Sequence, residues 1–318
     1  MRFFYVCIFG LLFLSLPANG QQVRKIVSID KGWKFQLGEV NNGQLSTFDD
    51  SNWRIMDVPH DWSIEGDYDQ NHTTKRGGGY LPAGIGWYRK AIVVPKSDAG
   101  KRIFIEFGGV MANSDVWING HLLGHRPFGY LPLLYDMTDY LSFDGKPNTI
   151  AVRADNTVQP ASRWYTGAGI YRHVNLITVD RVHLDRWGVF IFTPEVSAQK
   201  ASVTIQASVT NQSSGNQKIF LQTTITSHLG KILKSEPTPV TVNAGQTVQC
   251  EQVISVANPE LWDIETPNIY TAVTTVTAAA LCCMVLVIIA LNTPIVRNIH
   301  DTPIAVVKSG QLSVINLT

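Results

Sequence analysis

Between Arg24 and Asp180 the chain is cut into short runs that alternate apolar and polar residues, each closed by Gly, Pro, Asn or Asp. Successive side chains of an extended strand point to opposite faces, so such runs predict half-buried strands. Gly32–Leu37, Trp87–Val94, Arg102–Phe107 and Thr149–Arg153 read this way. Val116-Trp117-Ile118, then Asn119-Gly120, then His121-Leu122-Leu123 predicts a hairpin, because Asn-Gly adopts the positive φ angles of the favoured two-residue turn. No stretch holds a helical period over three turns. The pattern therefore predicts an all-β fold, with a jelly-roll sandwich over residues 21–180.

Residues 181–276 read as a second, immunoglobulin-like β-sandwich of about a hundred residues. Val203–Val209, Ile219–Ile225, Val240–Val242 and Val248–Val256 supply alternating strands around polar turns such as Asn211–Asn216. Residues 277–318 form an atypical apolar tail. No charge occurs between Glu265 and Arg297, so Ala272–Leu291 is long enough to stand as a candidate membrane span. Ile304–Val307 and Leu312–Leu317 resemble a short hairpin around Gly310.

Composition removes several function classes. The 318 residues carry a formal net charge of +1 with basic residues scattered, which argues against a nucleic-acid partner. Met1-Arg2, the apolar run Phe3–Leu16 and Pro17-Ala18-Asn19-Gly20 form a signal-peptide pattern over residues 1–20, so export to the periplasm or beyond is expected. Cys7 leaves with that segment, Cys250 stands alone and Cys282-Cys283 are adjacent, which is neither a disulfide framework nor a metal spacing. No metal site and no cofactor are expected. Asn71, Asn211 and Asn316 each open a glycosylation sequon, relevant only in a eukaryotic secretory pathway.

The densest chemistry lies in Ser162-Arg163-Trp164-Tyr165-Thr166-Gly167-Ala168-Gly169-Ile170-Tyr171-Arg172-His173. Glycines let backbones approach closely, and aromatics beside them offer flat apolar faces next to hydrogen-bond donors. That combination suits a sugar ring, whose C–H face stacks while its hydroxyls bond. The segment resembles a signature of glycoside hydrolase family 2, in particular its β-galactosidase-like members. Asp57-Val58-Pro59-His60-Asp61-Trp62 with Gly86-Trp87-Tyr88-Arg89-Lys90 resembles the start of that family's sugar-binding domain. Phe107-Gly108-Gly109-Val110, the Asn119-Gly120 hairpin and Gly129-Tyr130 resemble its centre. Asn258–Trp262 and Pro267–Tyr270 resemble the end of its immunoglobulin-like domain.

The resemblance implies a (β/α)₈ barrel of about 250 residues holding two catalytic carboxylates, acid/base and nucleophile. It runs only from Gly32 to Val276, and no Asn-Glu pair of the kind the family uses occurs in the chain. The expectation is therefore the N-terminal part of an exported β-galactosidase-like hydrolase, inactive alone and with no catalytic residue of its own. Its partners would be the missing barrel and a saccharide, a β-galactoside by resemblance. Ser162, Arg163 and Trp164 are the implied contributors to the sugar-pocket rim, with His60 and Asp61 as weaker ones. Local chemistry offers another reading of His60-Asp61 as a hydrogen-bonded turn after Pro59. Glu65, Asp67 and Asp69 read as a solvated loop. The alternative function is a stand-alone or membrane-tethered carbohydrate-binding protein using Arg163, Trp164 and Tyr165.

Overall fold

The computed structural model describes residues 24–278, 281–290, 304–308 and 311–315, with side chains described as far as Thr277. The signal-peptide pattern of residues 1–20 and the sequon at Asn316 lie outside the described residues. The first sandwich has ten strands: β1 (Lys25–Ser28), β2 (Trp33–Leu37), β3 (Arg54–Met56), β4 (Ile85–Ile92), β5 (Arg102–Phe107), β6 (Ser114–Ile118), β7 (His121–Arg126), β8 (Leu133–Asp136), β9 (Asn148–Asp155) and β10 (Val174–Val179). They form a four-stranded sheet in the order β1-β10-β5-β8 and a six-stranded sheet in the order β3-β2-β4-β9-β6-β7, with neighbouring strands antiparallel.

The alternation that announces the strands also builds the core. Trp33, Phe35, Tyr88, Ile103, Ile105 and Phe107 are buried between the two sheets. The turn between β6 and β7 has Asn119 at φ 50 and Gly120 at φ 84, as the Asn-Gly pair requires. A register shift between Val116 and Trp117 adds a bulge to that hairpin. On the outer face of the six-stranded sheet Trp87 stacks on Trp117 at 5.4 Å, and Trp53 and Phe48 close over them. Arg89 fastens this cover through Asp50 at 2.7 Å.

Two residues, Asp180 and Arg181, separate β10 from the second sandwich. Its strands are β11 (Val182–Val196), β12 (Lys200–Asn211), β13 (Gln217–Thr226), β14 (Ile232–Lys234), β15 (Thr238–Val242), β16 (Thr247–Ala257), β17 (Ile269–Ala278) and β18 (Leu281–Ala290). One sheet runs β11-β12-β16; the other runs β14-β13-β17-β18, with β15 also on β13. Asn211 is fully buried and its amide donates to Gly215 O and Val242 O, both at 2.9 Å, so this sequon asparagine serves the fold.

The apolar stretch after Ile269 is strand where it is described. Ala272–Ala278 belongs to β17, and Leu281–Ala290 pairs with it in antiparallel register, Val276 opposite Cys283. Among the described residues no helix is long and apolar enough to cross a membrane. Ala272, Thr274 and Val276 are buried while Thr271, Val273 and Thr275 are only half-buried, a period of two that belongs to a strand. Mean apolarity over twenty residues hides that period. Farther on, β19 (Ile304–Lys308) and β20 (Gln311–Ile315) pair as the expected hairpin.

The two sandwiches are joined by polar contacts as well as by chain. Arg186 reaches back to Glu106 on β5 with bonds of 2.5 and 3.0 Å, and Arg181 donates to Gly100 O at 2.9 Å. The His183 ring lies edge-on to Phe104 at 5.9 Å. Glu106 is buried, so this ion pair is one that loss of either partner would leave uncompensated.

Candidate functional site: a loop cluster at one end of the first sandwich

The glycine-rich segment closes onto the core at Gly169. Its φ is +108, and a Cβ there would lie 2.2 Å from Tyr88 Oη and 3.0 Å from His60 O, so only glycine fits. Gly169 also exchanges backbone hydrogen bonds with Met111, at 2.9 and 2.7 Å. Below it, the His60 amide donates to Ile170 O at 2.7 Å and the Trp62 amide to Ala168 O at 3.2 Å. The Pro59–Trp62 turn and the Gly167–Ile170 turn are thus laced together.

Within this lacing the five expected rim residues separate. His60 is buried, with Nδ1 2.8 Å from Tyr88 Oη, Nε2 3.2 Å from Glu65 Oε1, and its ring edge-on to Phe35 at 4.7 Å. Arg54 Nη2 also lies 3.2 Å from Nε2, so that ring nitrogen faces both a cation and the Glu65 carboxylate while Nδ1 shares a hydrogen bond with Tyr88. Burial pushes the His60 imidazole below its usual pKa, against the pull of Glu65. His60 is therefore a core residue rather than a rim contact, since its polar atoms are consumed inside the fold. Glu65 also pairs with Arg54 at 2.6 Å, and Asp69 accepts from the Asn71 amide at 2.8 Å, so two of the three acidic loop residues have structural partners.

Asp61 is half-buried and ties the rim segment down. Its Oδ1 accepts from the Ser63 and Ala168 amides, both at 3.0 Å, and its Oδ2 accepts from the Tyr165 hydroxyl at 2.5 Å. Burial, and then the Asp61 carboxylate, push the Tyr165 phenol above its usual pKa, so this hydroxyl keeps its proton. Asp61 acts as a clasp, which accords with the turn reading of His60-Asp61.

Ser162, Arg163 and Trp164 remain at the surface. Ser162 bonds within its own turn, receiving the Trp164 amide at 3.2 Å. Arg163 is exposed, and among the described residues its guanidinium has no hydrogen-bond or ion-pair partner. By contrast Arg54, Arg89, Arg102, Arg153 and Arg186 each hold a carboxylate. Trp164 is 61% exposed, and its indole Nε1 donates to Tyr130 Oη at 3.0 Å. The turn of Gly77 packs beneath: a Cβ there would stand 2.6 Å from Ser162 O. The site is thus a fixed loop presenting an unpaired guanidinium and a large aromatic face, a hydrogen-bond donor and a stacking surface that a hydroxylated ring can use.

An antiparallel jelly-roll sandwich carrying such a loop cluster is thus followed directly by an immunoglobulin-like sandwich. Residues 26–180 match the family model described as glycosyl hydrolases family 2, sugar binding domain, and residues 182–281 match that of glycosyl hydrolases family 2. The chain belongs to glycosyl hydrolase family 2. Among similar curated proteins, a β-galactosidase of Bacteroides ovatus is 43% identical over 77% of this chain and 29% of its own length. A putative β-glucuronidase of Formosa agariphila is 38% identical over 83% of this chain and 25% of its own. Among solved structures, a family 2 member from Bacteroides cellulosilyticus superposes with a TM-score of 0.79 at 32% identity, covering 84% of this chain and 35% of that one. The chain spans between a quarter and a third of the length of these two curated relatives.

Proposed function

We propose that this polypeptide is the rim-forming front part of an exported glycosidase that acts on terminal β-linked sugars, β-galactosides first, and that it has no hydrolytic activity by itself. The observation that carries this reading is the exposed pair Arg163 and Trp164 on a loop held rigid by Asp61. An open guanidinium and an open indole face together fit the hydroxyls and the C–H face of a saccharide. Hydrolysis itself needs two carboxylates about 5 Å apart flanking the bond in a retaining enzyme. Asp61 and Glu65, the carboxylates bonded into the loop cluster, are engaged in holding the loops. The chemistry is therefore assigned to a barrel beyond this chain. Galactoside is favoured by the 43% identical relative; glucuronide is the competing substrate, supported by the unpaired Arg163, whose guanidinium matches a carboxylate.

The test is to express the 318-residue chain with its own N-terminus in a Gram-negative host and purify the exported form. That form should begin at Gln21, show weak saturable binding of methyl β-galactoside exceeding that of the β-glucuronide, and release no aglycone from either aryl glycoside. Sustained turnover would overturn the assignment of chemistry elsewhere, an uncleaved cytoplasmic product would overturn export, and preferential glucuronide binding would reverse the choice of sugar.

A further inference from the structure

Tyr130 lies on a different loop from Trp164, 34 residues away in sequence, yet its hydroxyl oxygen accepts the indole N–H at 3.0 Å. That loop is itself anchored. Tyr171 Oη donates to Gly129 O at 2.9 Å, and a Cβ on Gly129 would fall 2.6 Å from Met111 Sδ, so the backbone is pressed onto the residue that forms an isolated bridge with Gly169. The Phe128 ring supports the Tyr130 ring at 5.5 Å with a 60° tilt. Tyr130 is nevertheless 44% exposed. An exposed indole has two free torsions and would sample several orientations, and a fixed acceptor at Nε1 selects one. Because the Tyr130 oxygen is used as an acceptor, its own O–H stays available to donate outward.

From this geometry we infer that Tyr130 is a positioning residue of the sugar rim: it fixes the Trp164 face and adds a hydroxyl donor beside it. This rests on the rim reading given above, and on an independent contact from a separate loop. Side-chain entropy is lost once, on folding, so a saccharide that stacks on Trp164 meets a surface already oriented.

The test uses the 318-residue chain labelled with ¹⁵N-tryptophan, the Trp164 indole signal being identified by its loss in W164F. In the unsubstituted chain methyl β-galactoside should move that signal saturably. In Tyr130→Phe the ring and fold remain, the Trp164 indole proton should shift upfield before any sugar is added, and affinity should fall on the order of fivefold, the worth of one lost hydrogen bond. The other indole signals and the thermal midpoint should hold, which separates positioning from general loosening. Unchanged affinity in Tyr130→Phe, or an unmoved Trp164 signal, would overturn the role of Tyr130 while leaving the rim intact. No saturable response of Trp164 in the unsubstituted chain would overturn the rim reading and this inference together.

Discussion

The two sandwiches bury polar networks in different places, and the difference separates recognition from scaffolding. In the first, Tyr88 and His60 stand at the end of the core and connect outward through Glu65 and Arg54 to the surface. In the second, Thr223, Gln252 and Thr274 form a closed rung. Thr223 Oγ1 donates to Gln252 Oε1 at 2.9 Å and lies 2.9 Å from Thr274 Oγ1, while Gln252 Nε2 donates to Leu221 O at 2.9 Å. That rung divides two apolar clusters, one containing Leu221, Cys250 and Val276 and the other Ile225, Ile254 and Ala272. It is buried and partnered on all sides, so it can specify strand register but present nothing to a ligand. The first network lies beneath the loop that carries Arg163 and Trp164. A core network leading to the surface supports a site; one sealed within a sheet pair supports only the fold.

The comparison breaks most sharply at Gly169. Gly169→Ala would force a Cβ against Tyr88 Oη and His60 O in a backbone region that L side chains avoid. Overpacking and strained φ together should cost about 3 kcal/mol or more. The thermal midpoint should fall by many degrees, and sugar binding at Trp164 should vanish with it. A variant that unfolds at the original temperature would show that the two turns are not locked as described.

A smaller and cleaner effect is expected in the second sandwich. Gln252→Met keeps side-chain length but removes the amide that donates to Leu221 O, Glu236 O and Thr238 Oγ1 and accepts from Thr223, which then keeps only Thr274, a loss of about 2 kcal/mol. Because Gln252 lies outside the rim network, saccharide binding by Trp164 should be unaffected below the unfolding transition. Calorimetry together with the indole titration checks both halves. Loss of binding in the folded variant would mean that the sandwiches are coupled through more than their interface.

These elements also show what the sequence could convey. Alternation located β2, β4, β5, β9 and both halves of the Asn119-Gly120 hairpin, because strand period and turn chemistry are local. The clasp made by Asp61 spans 104 residues to Tyr165 and 107 to Ala168, and no local pattern records such a pairing. His60 and Asp61 are adjacent in a family-like motif, so resemblance singled out both, but it could not tell that one ring enters the core while the other side chain ties a loop. Tyr130 was legible only as part of Gly129-Tyr130; its contact with Trp164 depends on two loops meeting. The tail was legible only in part, since a uniformly apolar run fits a bilayer or a sheet equally well and its pairing with β17 is not written in local pattern.

The smallest expected effect distinguishes the two regions by pH. His60 lies under the rim and His183 at the junction of the sandwiches, and burial pushes both imidazoles below the ordinary value of 6.5. In the folded protein both therefore resist protonation that the unfolded chain accepts. Above that ordinary value the two states carry the same charge at these sites and stability is full. As pH falls through it, the unfolded state binds protons first and stability declines, levelling only below the folded-state values. Carboxylates held low by partners, such as Glu39 beside Arg153 and Asp50 beside Lys34 and Arg89, lose their contribution only at more acid pH, below the ordinary carboxylate values of 4.5 and 3.8. The interval between about pH 5 and 6.5 thus reports mainly on histidine. His183→Gln can retain a donor to Asp180 O, which the imidazole Nδ1 reaches at 2.7 Å, and should flatten the decline in thermal midpoint over that interval. Rim binding, measured by the Trp164 indole in the folded protein, should be unchanged by His183→Gln. If His183→Gln instead alters binding over that interval, the junction of the sandwiches is coupled to the rim.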